Sequence, residues 1–169
     1  MLKVRIIPLI QLNGSSVVKT INFKKFRTVG DAVSAIKIFS RRMADEMVIV
    51  DINASKTKKI NFKFLKVISK ECFMPLTLGG GVKNEYDVER LFEVGADKII
   101  LNSLYYEDAN LLKKIISKYG SQAIVFSLDI FSFKGKYRIF SNSKKKFDEV
   151  INIEKTLDKL HEIGVGEIL

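Results

Sequence analysis

The strongest constraint on this chain is the length of its apolar runs. Residues 4–12, 47–52, 74–78, 98–101 and 123–130 are each too short for a helix, and most are rich in Val and Ile. Amphipathic stretches lie between them. In 31–41, Asp31 caps the first turn and Val33, Ile36 and Phe39 mark one face. Residues 61–72 carry Phe64, Leu65 and Ile68. Residues 84–94 start at a capping Asn84, group Val88, Leu91 and Phe92, and stop at Gly95. Residues 108–119 repeat the pattern with Leu111, Leu112, Ile115 and Ile116 before Gly120, and a last helix over 147–163 ends at Gly164.

Strand–helix alternation of this kind predicts an α/β fold with parallel strands and right-handed crossovers. Near-continuous apolar runs fit strands covered on both faces. Residues 131–140 depart from the rule, because Lys134-Gly135 favours a small hairpin after the fifth strand. An internal echo supports a repeated unit. Ala44-Asp45-Glu46-Met47-Val48, Ala96-Asp97-Lys98-Ile99-Ile100 and Val165-Gly166-Glu167-Ile168-Leu169 each run from a small or aliphatic residue through a turn residue and one charge into apolar strand. Two architectures meet these facts: an open doubly wound sheet, which five strands complete, and a (β/α)8 barrel, which typically takes ~250 residues. The chain has 169 residues, so length alone favours the open sheet.

Composition narrows the function classes. With 47% hydrophobic residues the chain can bury a sizeable core, and a single domain over 1–169 is expected. One Cys excludes a disulfide framework and points to a reducing, cytoplasmic compartment. Arg5 and Pro8 interrupt any signal-peptide core, and no apolar stretch approaches the ~18 residues of a membrane span. Neither a membrane nor a nucleic-acid partner is expected. The net charge of +10 invites a nucleic-acid reading, but 23 of the 29 Lys+Arg are Lys, whereas base and phosphate readers favour the bidentate fork of Arg.

Several stretches then appear in one order: Arg5-Ile6-Ile7-Pro8, Val17-Val18-Lys19, Asn22-Phe23, Gly30-Asp31, Asp51-Ile52-Asn53-Ala54-Ser55, Gly79-Gly80-Gly81, Gly95-Ala96-Asp97-Lys98, Leu101-Asn102-Ser103, Gly120-Ser121-Gln122-Ala123 and Gly166-Glu167-Ile168-Leu169. Together they resemble the cyclase subunit of imidazole glycerol phosphate synthase, a (β/α)8 TIM barrel of histidine biosynthesis. The resemblance runs along the whole chain. It overturns the length argument and implies an incomplete barrel: the first five βα units plus the start of strand six, truncated at the C-terminus. It also implies a heterodimer with a glutaminase subunit. Ammonia from that partner would pass through the barrel to phosphoribulosyl-formimino aminoimidazole carboxamide ribotide, a bisphosphorylated substrate, and imidazole glycerol phosphate would leave. No metal or organic cofactor is implied.

The resemblance also assigns sites. Gly79, Gly80 and Gly81 follow the third strand, where backbone N–H groups approach a phosphate closely, and Asn102 and Ser103 after the fourth strand add donors to the same anion. Asp129, at the end of the fifth strand, matches one of the family's two catalytic aspartates, in the place where barrels carry catalytic groups. Asp51 is expected as a supporting carboxylate, and Lys19 in the first loop as a phosphate partner or part of a closing loop. Arg5, Glu46, Lys98 and Glu167 each open a strand with alternating sign and match the family's ammonia gate, on the rim where the glutaminase docks. His161 is expected as a surface residue and Cys72 as a structural thiol.

One position departs from the family. Gln11 stands where the first-strand catalytic aspartate belongs, and an amide neither takes nor gives a proton at neutral pH. The family includes paralogues encoded with surface-polysaccharide genes, in which this aspartate is replaced and ammonia serves a sugar amidotransferase. Gln11 fits that branch. A non-catalytic remnant that only docks a glutaminase is the further alternative.

Overall fold

The computed structural model describes residues 4–21, 25–57, 59–134, 136–141, 146–147 and 153–169. Asn22, Phe23, the turn glycine Gly135 and residues 148–152 of the expected last helix lie outside the described residues, and the first residue expected in that helix, Phe147, is in a short strand instead. The chain divides into two compact units, Met1–Val82 with Tyr86–Ile99, and Lys83–Glu85 with Ile100–Leu169.

The first unit holds β1 (Leu9–Asn13), β2 (Ser16–Ile21), β3 (Lys25–Asp31), α1 (Ala32–Arg41), β4 (Met47–Asp51), α2 (Ala54–Thr57), α3 (Phe62–Ser69), β5 (Leu76–Gly79), α4 (Glu85–Glu93, all but its first residue) and the opening of β6 (Lys98–Leu101). Its strands β1, β4 and β5 are parallel, with Leu9 opposite Val48 and Met47 opposite Leu76. The α/β expectation holds. Both faces of β4 and β5 are covered, so Met47, Ile49, Leu76 and Leu78 are almost wholly buried. From the helices, Ile36, Leu65, Ile68, Val88 and Leu91 fill the same core. Asp31 caps α1 by accepting from the Ser34 N–H at 2.8 Å, and Asn61 caps α3 by accepting from the Phe64 N–H at 3.1 Å.

Two local expectations are corrected. The first strand starts at Leu9, not at residue 4. Upstream, Ile6 donates its N–H to the Asp45 carboxylate at 2.8 Å and accepts from the Asp45 N–H at 3.1 Å, so a side chain replaces the ladder there. The stretch read as the first loop is instead an antiparallel hairpin, β2 with β3, laid against β1. Gly14 makes the tight turn into β2 with φ +65°, a conformation that L side chains rarely adopt. Every residue of β3 is exposed, so its Phe26 and Val29 add little to the core.

The second unit holds α5 (Ser103–Glu107), α6 (Ala109–Tyr119), β7 (Ile124–Phe126), β8 (Ile130–Phe133), β9 (Lys136–Ser141), β10 (Lys146–Phe147), α7 (Ile153–Ile163) and β11 (Glu167–Ile168). Asp108 caps α6 by accepting from the Leu111 N–H at 2.9 Å. Here β11 pairs parallel with β7, and β8 pairs antiparallel with β9 as the expected hairpin. The fifth strand is shorter than expected because a 3-10 turn over Ser121–Ala123 takes up its start, and β7 ends at Phe126. Phe126 is fully buried, and the ring of Tyr105 meets it edge-on at 5.5 Å between centroids. Among the described residues no helix is long and apolar enough to cross a membrane.

The uneven burial gives a paired expectation. Leu78→Ala should cost about 2–5 kcal/mol, because the cavity left between β5 and its covering helices cannot refill. Phe26→Ala, on β3, should stay within about 0.5 kcal/mol. Urea midpoints of the two variants check this, and comparable losses would refute the division into core and edge.

Candidate functional site

The polar side chains of the first unit collect at strand ends, because the strand interiors are apolar. Ahead of β4, Glu46 is buried and would be costly there without partners. It has two. Lys98, which opens β6, reaches one carboxylate oxygen at 2.9 Å, and the Arg5 guanidinium takes the other. Three of the four expected gate charges therefore meet. The fourth, Glu167, opens β11 in the second unit, where it is opposite Val125.

At the other end of β4, Asp51 is buried. Its Oδ1 accepts from the backbone N–H of Asn53 at 2.9 Å and of Ala54 at 3.2 Å, so it also starts α2. Burial pushes its carboxyl above the ordinary range, and those two donors partly offset the rise. Gly80 and Gly81, just beyond β5, press on the same spot. A Cβ at Gly80 would overlap the Asp51 carbonyl oxygen, and one at Gly81 would come within 2.8 Å of the Ala54 Cβ. Both have positive φ, +107° and +74°. With Gly79 they form a loop of bare backbone, the shape that lets N–H groups approach an anion.

Position 11 is the third feature. Gln11 is half-buried on β1 opposite Val18, and its Oε1 accepts from the Thr20 hydroxyl at 2.8 Å. These residues line an open pocket of about 350 Å³ with Leu9, Ile10, Val17 and Lys19. Lys19 is exposed, and the strand pleat puts it on the opposite face of β2 from Val18 and Thr20. Thr20 escaped the sequence reading, since its place against β1 emerges only once the stretch read as the first loop is known to be a strand paired antiparallel with β1. The turn signal Asn13-Gly14-Ser15 marks the reversal from β1 into β2, with Asn13 opposite Ser16.

In the second unit, Asp129 lies three residues past β7 and is half-buried. Asn102 donates its side-chain amide to the Asp129 carboxylate at 3.1 Å and to the Ser127 carbonyl at 2.9 Å. Both amide protons are thereby used within the chain. Ser103 opens the short α5. Burial raises the Asp129 carboxyl, and the Asn102 bond pulls it back. A carboxyl raised in this way holds a proton more readily than an ordinary one.

His161 is exposed on α7, and the half-buried Cys72 donates to the Met74 carbonyl, its thiol pushed up by burial. Among the described residues no three His, Cys, Asp or Glu side chains are placed to hold a metal ion.

Residues 5–169 match the histidine biosynthesis protein family. The chain is 47% identical over its whole length to a Campylobacter jejuni protein provisionally named imidazole glycerol phosphate synthase subunit hisF2, and 35% identical to a Pseudomonas aeruginosa protein of the same provisional name. It is 36% identical to imidazole glycerol phosphate synthase subunit HisF of Chlorobaculum tepidum. In each case it spans 67% of the relative's length.

The Asn102 contact sets a direction for Asp129. Asn102→Ala removes the donor that favours the charged form, so the Asp129 carboxyl should titrate at higher pH than in the parent chain. Carboxyl-carbon NMR titration measures it. A value that falls or stays put would mean that the amide does not tune this group.

Proposed function

The chain belongs to the histidine biosynthesis protein family, and from that premise we propose that it works as a cyclase-type subunit of imidazole glycerol phosphate synthase. In this reading a glutaminase partner docks on the rim of strand starts and supplies ammonia there, with Arg5, Glu46, Lys98 and Glu167 as the gate charges. The observation that carries it is the buried Glu46 held by both Lys98 and Arg5, a charged closure at strand starts that packing alone does not require. The substrate is phosphoribulosyl-formimino aminoimidazole carboxamide ribotide. The backbone at Gly79, Gly80 and Gly81 takes phosphate. Asp129 moves protons, with its carboxyl raised by burial and oriented by Asn102. Asp51 stiffens the turn beneath the glycine loop.

Gln11 favours a second reading. The hydrogen-bonded amide at this position transfers no proton, and losing one positioned acid or base typically costs ~10²–10⁴ in rate. The subunit then hands ammonia to a different acceptor, in the manner of paralogues that serve a sugar amidotransferase, or docks a glutaminase without turnover of its own.

Two experiments separate these readings. Gln11→Asp should raise ammonium-dependent cyclisation by about 10²-fold or more. A parent chain that already cyclises as fast as the variant would remove the case for the second reading. Lys98→Met leaves Glu46 buried beside Arg5 alone, and should lower glutamine-driven turnover more than turnover with free ammonium salts. Equal losses with both nitrogen sources would show the cluster to be a structural clamp.

A further inference from the structure

The Gln11–Thr20 hydrogen bond couples two strands of the first unit across the open pocket. Val18 is directly opposite Gln11, and Thr20 comes two residues later on the same face of β2. At 2.8 Å the hydroxyl donates to Oε1 of the amide. An amide has one oxygen and one NH₂, so fixing the oxygen also fixes where the donors go. Among the described residues the NH₂ group of Gln11 makes no hydrogen bond, and the residue lines the pocket. A carboxylate here would present a second acceptor to the same space. The amide held by Thr20 presents donors instead, which reverses the hydrogen-bonding character of the position.

We propose that Thr20 is a positioning residue that holds the Gln11 amide with its NH₂ toward the pocket, so that position 11 recognises a lone-pair-bearing ligand atom. The fitting ligand class is one with a carbonyl oxygen, an imine nitrogen or an oxyanion at this point. A protonated amine, which carries only donors, is rejected. The hairpin therefore does more than cover β1: its first strand, β2, decides what β1 offers. As a statement about substrate, this rests on the cyclase-type reading above. As a statement about the amide, it stands without it.

The experiment has one arm for each. In the full chain without substrate, NMR tracks the side-chain Cδ and NH₂ resonances of Gln11 in the parent, Thr20→Val and Thr20→Ser. Valine keeps the shape and deletes the hydroxyl, and serine restores it. The Gln11 Cδ resonance should move in Thr20→Val and return in Thr20→Ser, with the backbone amides of β1 and β2 unshifted and the NH₂ protons exchanging freely in all three. An unmoved Cδ resonance overturns the proposal. So do NH₂ protons that are protected in the parent and released in Thr20→Val, since these would mean that the amide donates to Thr20 with its oxygen facing the pocket. In the second arm, titration with the bisphosphorylated cyclase substrate should show about three- to tenfold weaker binding for Thr20→Val than for the parent, and recovery in Thr20→Ser. Resonances that move as expected, with no substrate binding in any variant, would reject the cyclase substrate and leave the amide orientation intact. Substrate binding that is equal in all three would reject the recognition role.

Discussion

A parallel strand covered on both faces has room for chemistry only at its ends, and β4 shows the consequence. Its interior residues Met47 and Ile49 are almost wholly buried, and polar groups are pushed to Glu46 on one side and Asp51 on the other. At about 3.3 Å per residue, five residues keep those carboxylates roughly 16 Å apart. The same apolar wall that forms the core thus insulates one end from the other. Each end can carry a different charge arrangement without disturbing its opposite.

The two ends solve the burial of a carboxylate in different ways. Glu46 is given two full positive charges, from Lys98 and Arg5. Asp51 is given backbone N–H groups, and Asp129 in the second unit a single side-chain amide. A pair of cations clamps Glu46 in place. Partial dipoles offset desolvation only in part, so burial raises both aspartates. Each of these two carboxyls consequently favours the folded state when protonated, a contribution complete below its unfolded pKa and lost as pH rises through the raised one. The rigid clamp and the proton-holding groups are all carboxylates and differ in the neighbours supplied.

Much of this is readable in the sequence, and the gaps have physical causes. The parallel strands, the caps Asp31 and Asp108 and the late hairpin come from apolar periodicity and local turn chemistry, which act over a few residues. Arg5 and Glu46 are 41 residues apart, and only family register brings them together in advance. The β2–β3 hairpin is hidden because β3 is exposed along its whole length and so lacks the alternation that marks a half-buried strand. With the hairpin hidden, Thr20 is hidden too. Asn102 is visible as a polar residue after a strand, but nothing local says that its amide turns to Asp129, 27 residues on.

Position 11 shows why residue identity and residue setting must be read together. From the sequence, Gln11 is a subtraction: an acid–base group has been replaced by one that moves no proton. In its setting on β1 the amide is half-buried and its oxygen already has a partner. A buried amide left without a partner would cost about 1–3 kcal/mol, whereas Thr20 satisfies the oxygen and leaves the NH₂ facing space that a ligand can enter. The hairpin therefore accommodates the exchange of carboxylate for amide without an unsatisfied oxygen and without a compensating charge. A site that had only decayed would have no reason to place a donor hydroxyl against that oxygen. The Thr20 contact makes position 11 an organised part of the pocket, whatever its nitrogen finally meets.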